Sequence, residues 1–400
     1  MPVRPTLRRP LSAALVALTA SAAVATLSQN SQAAQAQQAS IVILPGIVQP
    51  GPKTANADKA LAAVVATFSP AKRGRAVELQ RQSGSKWVKV ATGVQDRSGK
   101  VEFAAPAGTA TAPITYRAVA PKGDGLGSVT SRAVGTSTWG PATFTDQFTG
   151  TTLSANWVHR KQEYEPQSMR NCSKGSPAAT RVSQGTLKLM VIRDTALPPA
   201  SCPAYKADGT FIGNFDYRLN GHVSTQGHAF LKYGVVAARI KFQARQGQHA
   251  SLWMQPEDPI YGAPDALTGG AEIDVIEYFG DGVKNGGLTS FIYNPTPSGV
   301  PQKIGGWIKK PERFLTEKKD GWSKRYHVFS VEWSPTAYVF RIDGRETNRI
   351  TTGISGVAQY PILSLLSSDY ELKKLKGEQN LPQAMSVDWV RFWQAPGVTP

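Results

Sequence analysis

Short apolar segments separated by turn residues run along the chain, and no long stretch carries the period of an amphipathic helix. In the first third, Ser40–Leu44, Ala62–Phe68, Ala76–Arg81, Trp87–Thr92, Val101–Ala104 and Thr115–Ala120 read as short strands, with Gly74, Gly84, Gly93 and Gly99 between them. Val77-Glu78-Leu79-Gln80 and Tyr116-Arg117-Ala118-Val119 alternate as half-buried strands do. This spacing predicts a β-sandwich over residues 41–135, closed by a linker at 136–141. Gly123-Asp124-Gly125-Leu126-Gly127 has no strand–helix frame around it and reads as a hairpin turn rather than a nucleotide loop. Strand patterns resume at Gly185–Leu189, Lys232–Lys241, Ala250–Met254, Leu288–Tyr293, Tyr326–Ser334, Tyr338–Gly344, Tyr360–Leu365 and Met385–Trp393. They predict a second β-domain over 142–396, a jelly-roll sandwich of two curved antiparallel sheets.

Within that domain, Ala271-Glu272-Ile273-Asp274-Val275-Ile276-Glu277-Tyr278 sets three carboxylates among β-forming apolar residues. Side chains of a strand alternate faces, so Glu272 and Asp274 share one face and Glu277 falls on the other. One β-bulge near Val275–Ile276 would return Glu277 to the same face. Retaining glycoside hydrolysis suits such an arrangement, because it needs a nucleophilic carboxylate and an acid/base carboxyl about 5–5.5 Å apart. Backbone positions five apart on an unbulged strand lie on the order of 15 Å apart, so long side chains at both ends are favoured. Asp274 between them would separate the two Glu pKa values. A surface strand with scattered acids is the plain alternative.

Glu272-Ile273-Asp274-Val275-Ile276-Glu277 resembles the bulged Glu-x-Asp-x-x-Glu signature of glycoside hydrolase family 16, as in its laminarinase, agarase and carrageenase branches. The resemblance runs from Phe144-Thr145-Asp146-Gln147-Phe148 through Tyr233-Gly234 and Arg239-Ile240-Lys241, Glu332-Trp333 and Asp343-Gly344 to Asp388-Trp389. It implies an all-β chain in which an N-terminal immunoglobulin- or fibronectin-like sandwich precedes a concanavalin-like β-jelly roll. It implies Glu272 as nucleophile, Glu277 as acid/base and Asp274 as auxiliary acid. A β-linked glucan or galactan is the implied substrate, with β-1,3-glucan favoured. Hydrolysis, transglycosylation and non-catalytic, lectin-like binding are the competing outcomes. Gln147 stands where many members carry a Glu, which puts a structural calcium site in doubt; the mechanism itself needs no cofactor or metal. Ala237 also replaces a usual Glu, and Tyr293 stands near a position where laminarinases often carry His.

Sugar rings pack their C–H faces on aromatic side chains, which makes Trp253 the leading substrate-binding candidate, followed by Tyr278 and Tyr293. Trp307, Trp322 and Tyr370 are weaker candidates, and Trp333 and Trp389 read as core. Arg239 could reach substrate or form a structural ion pair. The loop from Gln255 to Gly270 is placed to shape the cleft.

Composition adds location and partners. Arg4, Arg8 and Arg9 precede an apolar run from Leu11 to Leu27 and the small-residue site Ala34-Gln35-Ala36, so residues 1–36 read as a signal peptide of a secreted protein. The Arg8-Arg9 pair keeps twin-arginine export open. No later stretch reaches the ~20 apolar residues of a membrane span. Cys172 and Cys202 are expected to pair, closing a loop worth about 3–4 kcal/mol. The formal charge is +17, and residues 41–135 are the more basic part, with 13 Lys/Arg against 5 Asp/Glu. That module could meet an acidic glycan or cell-wall polymer. No nucleic-acid motif accompanies the charge. No Gly-x-Ser-x-Gly elbow, His-Glu-x-x-His pair or phosphate loop offers a competing chemistry. A monomer acting on polysaccharide is expected.

Overall fold

The computed structural model describes residues 36–109, 111–258, 263–317 and 320–399. Residues 1–35 of the expected signal segment lie outside the described residues, as does the middle of the loop from Gln255 to Gly270. Among the described residues, no helix is long and apolar enough to cross a membrane.

Two β-sandwiches stand side by side within the compact unit Ala36–Pro400. In the first, β1 (Gln38–Val48), β2 (Leu61–Ser69) and β5 (Lys100–Ala105) form one sheet in the order β1-β2-β5. The facing sheet joins β3 (Ala76–Ser83), β4 (Lys86–Val94) and β6 (Thr115–Ala120) with two short strands. Ile41, Ile43, Val64, Phe68, Val77, Leu79, Phe103 and Tyr116 fill the space between the sheets. The alternation seen in β3 is the cause: Val77 and Leu79 are buried, while Glu78 and Gln80 lie on the outer face.

The second sandwich follows β7 (Thr186–Arg193), β8 (Arg218–Ser224), β9 (Gly234–Lys241), β10 (His249–Pro256), β11 (Glu272–Tyr278) and β12 (Leu288–Asn294). It continues with β13 (Gln302–Trp307), β14 (His327–Ser334), β15 (Ala337–Ile342), β16 (Arg345–Ile350), β17 (Gln359–Leu366) and β18 (Gln383–Gln394). Hydrogen bonding runs in the order β13-β12-β11-β10-β17-β8-β7-β18-β9-β14-β15-β16. Its first six strands and last six strands pack on one core, so the whole is an all-β jelly roll. Leu252, Ile273, Ile276, Ile292 and Leu363 from one half meet Leu189, Val236, Ile240, Val331 and Phe340 from the other. Both cysteines are buried and form the Cys172–Cys202 disulfide.

The outer face of the second half is covered by the first sandwich. Leu44, Ile47, Val48, Ala60 and Ala63 pack on Val235, Ala237, Val328, Trp389 and Trp393. Gly51 and Tyr326 exchange backbone hydrogen bonds of 3.0 and 2.8 Å, a strand-like contact between the two bodies. Gly344 (φ 76°) permits a close approach: a Cβ there would lie 2.6 Å from Val48 Cγ2. Arg239, a candidate for the cleft in sequence, lies instead inside this junction and is 1% exposed. Its guanidinium donates to the carbonyls of Gln49 (2.6 Å) and Lys53 (2.9 Å) and pairs with Asp388 at 2.5 Å. Burial pushes the Asp388 carboxyl up, and the Ala55 N–H and Arg239 only partly restore it. The reason for the misplacement is parity: Val235, Ala237 and Arg239 alternate along β9 onto the covered face.

Two departures from the family pattern fall at the same junction. Ala237 is fully buried beneath the first sandwich, where a carboxylate would lose its water. Gln147 Oε1 accepts the Ala57 N–H at 2.9 Å, so it holds a backbone donor of the first sandwich.

Candidate active site

The strand order β13-β12-β11-β10-β17-β8 presents a face whose residues can be read off the register, because directly opposed residues of antiparallel strands share a face. One row runs His222, Ser364, Ser251, Glu277, Thr289 and Trp307. The next runs Ser224, Ile362, Trp253, Asp274, Phe291 and Gly305. A third joins Tyr360 and Gln255 on one side to Glu272, Tyr293 and Lys303 on the other.

These rows need a slip in β11. Leu252 faces Ile276 but Trp253 faces Asp274, leaving Val275 as the extra residue. Ile273, Val275, Ile276 and Tyr278 all point into the core, so the three carboxylates share the outer face. The slip is held in place by Ser290, whose hydroxyl donates to the Val275 carbonyl at 2.8 Å. The strand is launched by Gly270 at φ 82°, where a Cβ would meet Pro256 Cγ at 2.3 Å. Gln359 fixes the same point by donating to the Ala271 carbonyl at 2.7 Å.

The acids differ in their surroundings. Arg160 donates to Gln255 Oε1 at 3.0 Å, which leaves the Gln255 amide to donate to Glu272 Oε2, also at 3.0 Å. A donor favours the ionised form, whereas burial disfavours it. Burial leads, Glu277 adds to it, and the Gln255 amide, Arg160 and Arg170 pull back; the Glu272 carboxyl stands above its ordinary value. Asp274 is buried, and burial followed by the charges of Glu272 and Glu277 pushes its carboxyl well up. Its Oδ2 has no hydrogen-bond partner among the described residues. Asp274 is thus held toward its neutral form between two longer acids. Glu277 accepts from the Thr289 hydroxyl at 3.0 Å.

Trp253 is on this face, its indole N–H donating to Ser364 Oγ at 3.1 Å and its ring lying 5.5 Å from the Arg160 guanidinium. Tyr293 stands opposite Glu272, and burial, then Asp274, Glu272 and Glu277, push its phenol up. Tyr278 is not on the face. Its ring is buried in the core, stacked on Phe242 at 5.0 Å, and its hydroxyl donates to Asp281. It follows Glu277 directly, so the acid and the ring take opposite sides of the strand. Trp322 is likewise core, as are Trp333 and Trp389, whereas Trp307 and Tyr370 are exposed.

Sequence reasoning missed several neighbours. Gln255 and Ser251 were available from the alternation His249, Ser251, Trp253, Gln255 along β10. His249 Nδ1 lies 2.6 Å from Glu371, and its ring stacks on Phe279. Burial opposes its charged form, but Glu371 and Glu277 outweigh it and hold the imidazole above its ordinary value. His222 stacks on Trp253 at 5.9 Å; burial, then Arg160 and Arg170, keep it neutral. Arg160 and Arg170 come from irregular chain with no periodic signal. Arg170 is placed by paired backbone bonds with Glu165, and the adjoining Asn171 and Cys172 N–H groups are held by Asp369 at 2.9 and 3.1 Å. The disulfide therefore anchors the segment that brings Arg170 to the acids. Among the described residues, no cluster of three or more His, Cys, Asp or Glu side chains is arranged to hold a metal ion.

Comparison with known proteins gives a family model, Glycosyl hydrolases family 16, that matches residues 181–391. Glucan endo-1,3-beta-glucosidase A1 of Niallia circulans is 25% identical over 263 residues, covering 62% of this chain and 37% of its own length. Gram-negative bacteria-binding protein 3 of Drosophila melanogaster is 27% identical over 115 residues, covering 29% of this chain and 22% of its own. The chain thus spans little more than a third of the longer-matching relative. The laminarinase catalytic domain of Thermotoga maritima MSB8 aligns at 17% identity and TM-score 0.46, over 64% of this chain and 98% of that one. The laminarinase of Rhodothermus marinus aligns at 17% identity and TM-score 0.47, over 63% and 96%.

Proposed function

Because the chain belongs to glycosyl hydrolase family 16, we propose that it is a secreted, endo-acting, retaining glycoside hydrolase of β-linked polysaccharide. One observation carries the reading: two glutamates on one sheet face are held by different donors, Gln255 and Thr289, across a buried aspartate. Glu272 attacks the anomeric carbon while Glu277 gives its proton to the leaving oxygen. A glycosyl-enzyme ester forms on Glu272. Glu277, now ionised, takes a proton from water, which attacks the anomeric carbon and frees Glu272. The bulged form of the family signature supports the assignment of the two roles. The Gln255 amide and the charges of Arg160 and Arg170 favour ionised Glu272 and so support it as the nucleophile. Asp274, held toward neutrality, limits the repulsion between the outer acids.

β-1,3-Glucan is the favoured polymer, supported by the relative named for endo-1,3-beta-glucosidase activity; galactans are the alternative. The relative named for binding bacteria keeps a lectin-like reading in view, and a sugar hydroxyl in place of water would give transglycosylation. The two facing sheets of the first sandwich support an immunoglobulin-like module, whose basic charge suits an acidic glycan or wall polymer. The apolar segment after Arg4, Arg8 and Arg9 supports export. Reducing-end release from laminarin, mixed-linkage glucan, agarose and carrageenan tests the reading. Release from laminarin in oligosaccharide steps is expected. Tight binding to one polymer with no release from any would replace hydrolysis with the lectin-like function.

A further inference from the structure

The row that carries Glu277 ends on Trp307, the last residue of β13, which is 46% exposed. Glu277 and Trp307 both face Thr289, so two strand spacings, about 10 Å, separate them. Phe279 lies between Trp307 and His249, its ring 5.4 Å from each. Beyond Trp307 the surface opens into a cavity of about 530 Å³ lined by Lys284, Asn285, Trp307, Lys309, Lys310 and Glu312. Three ammonium groups meet a single carboxylate there, and none of the three lysines makes an ion pair among the described residues. Lys303, on the same strand and face as Trp307, extends the basic edge toward Glu272.

The walls of this cavity are fixed. Ile308 continues the sheet by donating to the Leu288 carbonyl at 2.9 Å. Gly286, at φ 78°, lies so close to Pro311 that a Cβ would sit 2.3 Å from its Cγ. An exposed indole offers a surface for the C–H face of a sugar, and unpaired ammonium groups around it favour an anionic substituent. The geometry points to a subsite for a negatively charged sugar residue on the Glu277 side of the cleft, so that the preferred substrate is a β-glycan bearing sulfate or carboxylate groups. This inference rests on the hydrolase reading above and adds to it the charge of the substrate.

The test uses the full chain and three forms of one polymer: the neutral polymer that the enzyme cleaves, a lightly sulfated derivative and a carboxylated derivative of equal length. The wild type is expected to favour the charged forms by about fivefold in kcat/KM at low salt, as a few exposed ionic contacts would give. Salt near 0.5 M should remove the preference. Lys284→Gln/Lys309→Gln/Lys310→Gln should abolish it while leaving kcat on the neutral polymer within about twofold. Arg181→Gln/Lys206→Gln/Lys376→Gln removes equal charge from exposed positions of the catalytic domain outside the cavity lining and should keep the preference. Preference for sulfate alone would name sulfate, and equal preference for both derivatives would name charge. No preference in the wild type, or equal loss in both triple variants, overturns the subsite. If no polymer is cleaved, the hydrolase reading fails separately. Affinity electrophoresis of Glu272→Gln and of the two triple variants through gels holding the same three glycans then decides the subsite by retardation alone.

Discussion

The second sandwich carries buried charge on both of its outward faces, and the two faces treat it in opposite ways. On the face covered by the first sandwich, Arg239 meets Asp388 and two well-placed carbonyls, and Arg341 meets Glu102 and Glu332 at 3.1 and 3.3 Å. Charges there are matched within the protein. On the open face, Glu272, Asp274 and Glu277 stand together with no cation in ion-pair contact among the described residues, and the nearest help is an amide, a hydroxyl and more distant guanidinium groups. Matched charge holds two bodies in register; like charge left together costs stability and keeps protons poised for transfer.

Each face can be disabled on its own. The largest expected effect is on the open face: Glu272→Gln should lower kcat by about a thousandfold or more, since the proposed nucleophile would have no substitute. Its melting temperature should not fall, because one of three clustered acids has been neutralised. Next comes the covered face. Asp388→Asn leaves the Arg239 guanidinium buried without its partner and should cost about 3–5 kcal/mol in denaturant unfolding. Activity of the folded fraction at low temperature should stay within about twofold, as Asp388 is remote from the acids in the strand order.

Asp274→Asn sharpens the contrast. A carboxyl whose pKa is raised by folding weakens the fold progressively as pH rises from its unfolded value through its folded one, and this cost is absent below the unfolded value near 3.9. The variant should therefore melt a few degrees higher than wild type at pH 7, show no such gain near pH 3, and lose activity. Thermal scans at both pH values decide it. The smallest expected effect belongs to Gln255→Leu. Without its amide donor, Glu272 should rise further, so the acid limb of the kcat/KM profile should move to higher pH, with about a three- to tenfold loss at the optimum.

What could be read in the sequence divides along the same line. Period-two alternation placed most strands of both sandwiches but not β8, β13 or β16, and the spacing of three acids marked the candidate site. Alternation alone cannot say which outward face is open. That is why alternation leaves Arg239 open to substrate or to a structural ion pair; the first sandwich covers it, and the ion pair with Asp388 is the one that forms. Tyr278 failed for a simpler reason, since a residue adjacent to Glu277 must point the other way. Arg160 and Arg170 were illegible because they reach the site through irregular backbone, bonds to Asp369 and a disulfide rather than through a periodic element. Gln255 was legible and overlooked.

Which acid attacks the sugar decides the mechanism. Incubation with a 2-fluoro glycoside of the preferred oligosaccharide, followed by peptide mass spectrometry, identifies the residue that carries the intermediate. The expected result is one glycosyl unit on Glu272, resolved from Glu277 by fragmenting the peptide that carries both, and none when Glu272→Gln is treated in the same way. A label on Glu277, or hydrolysis with inversion at the anomeric carbon, would contradict it.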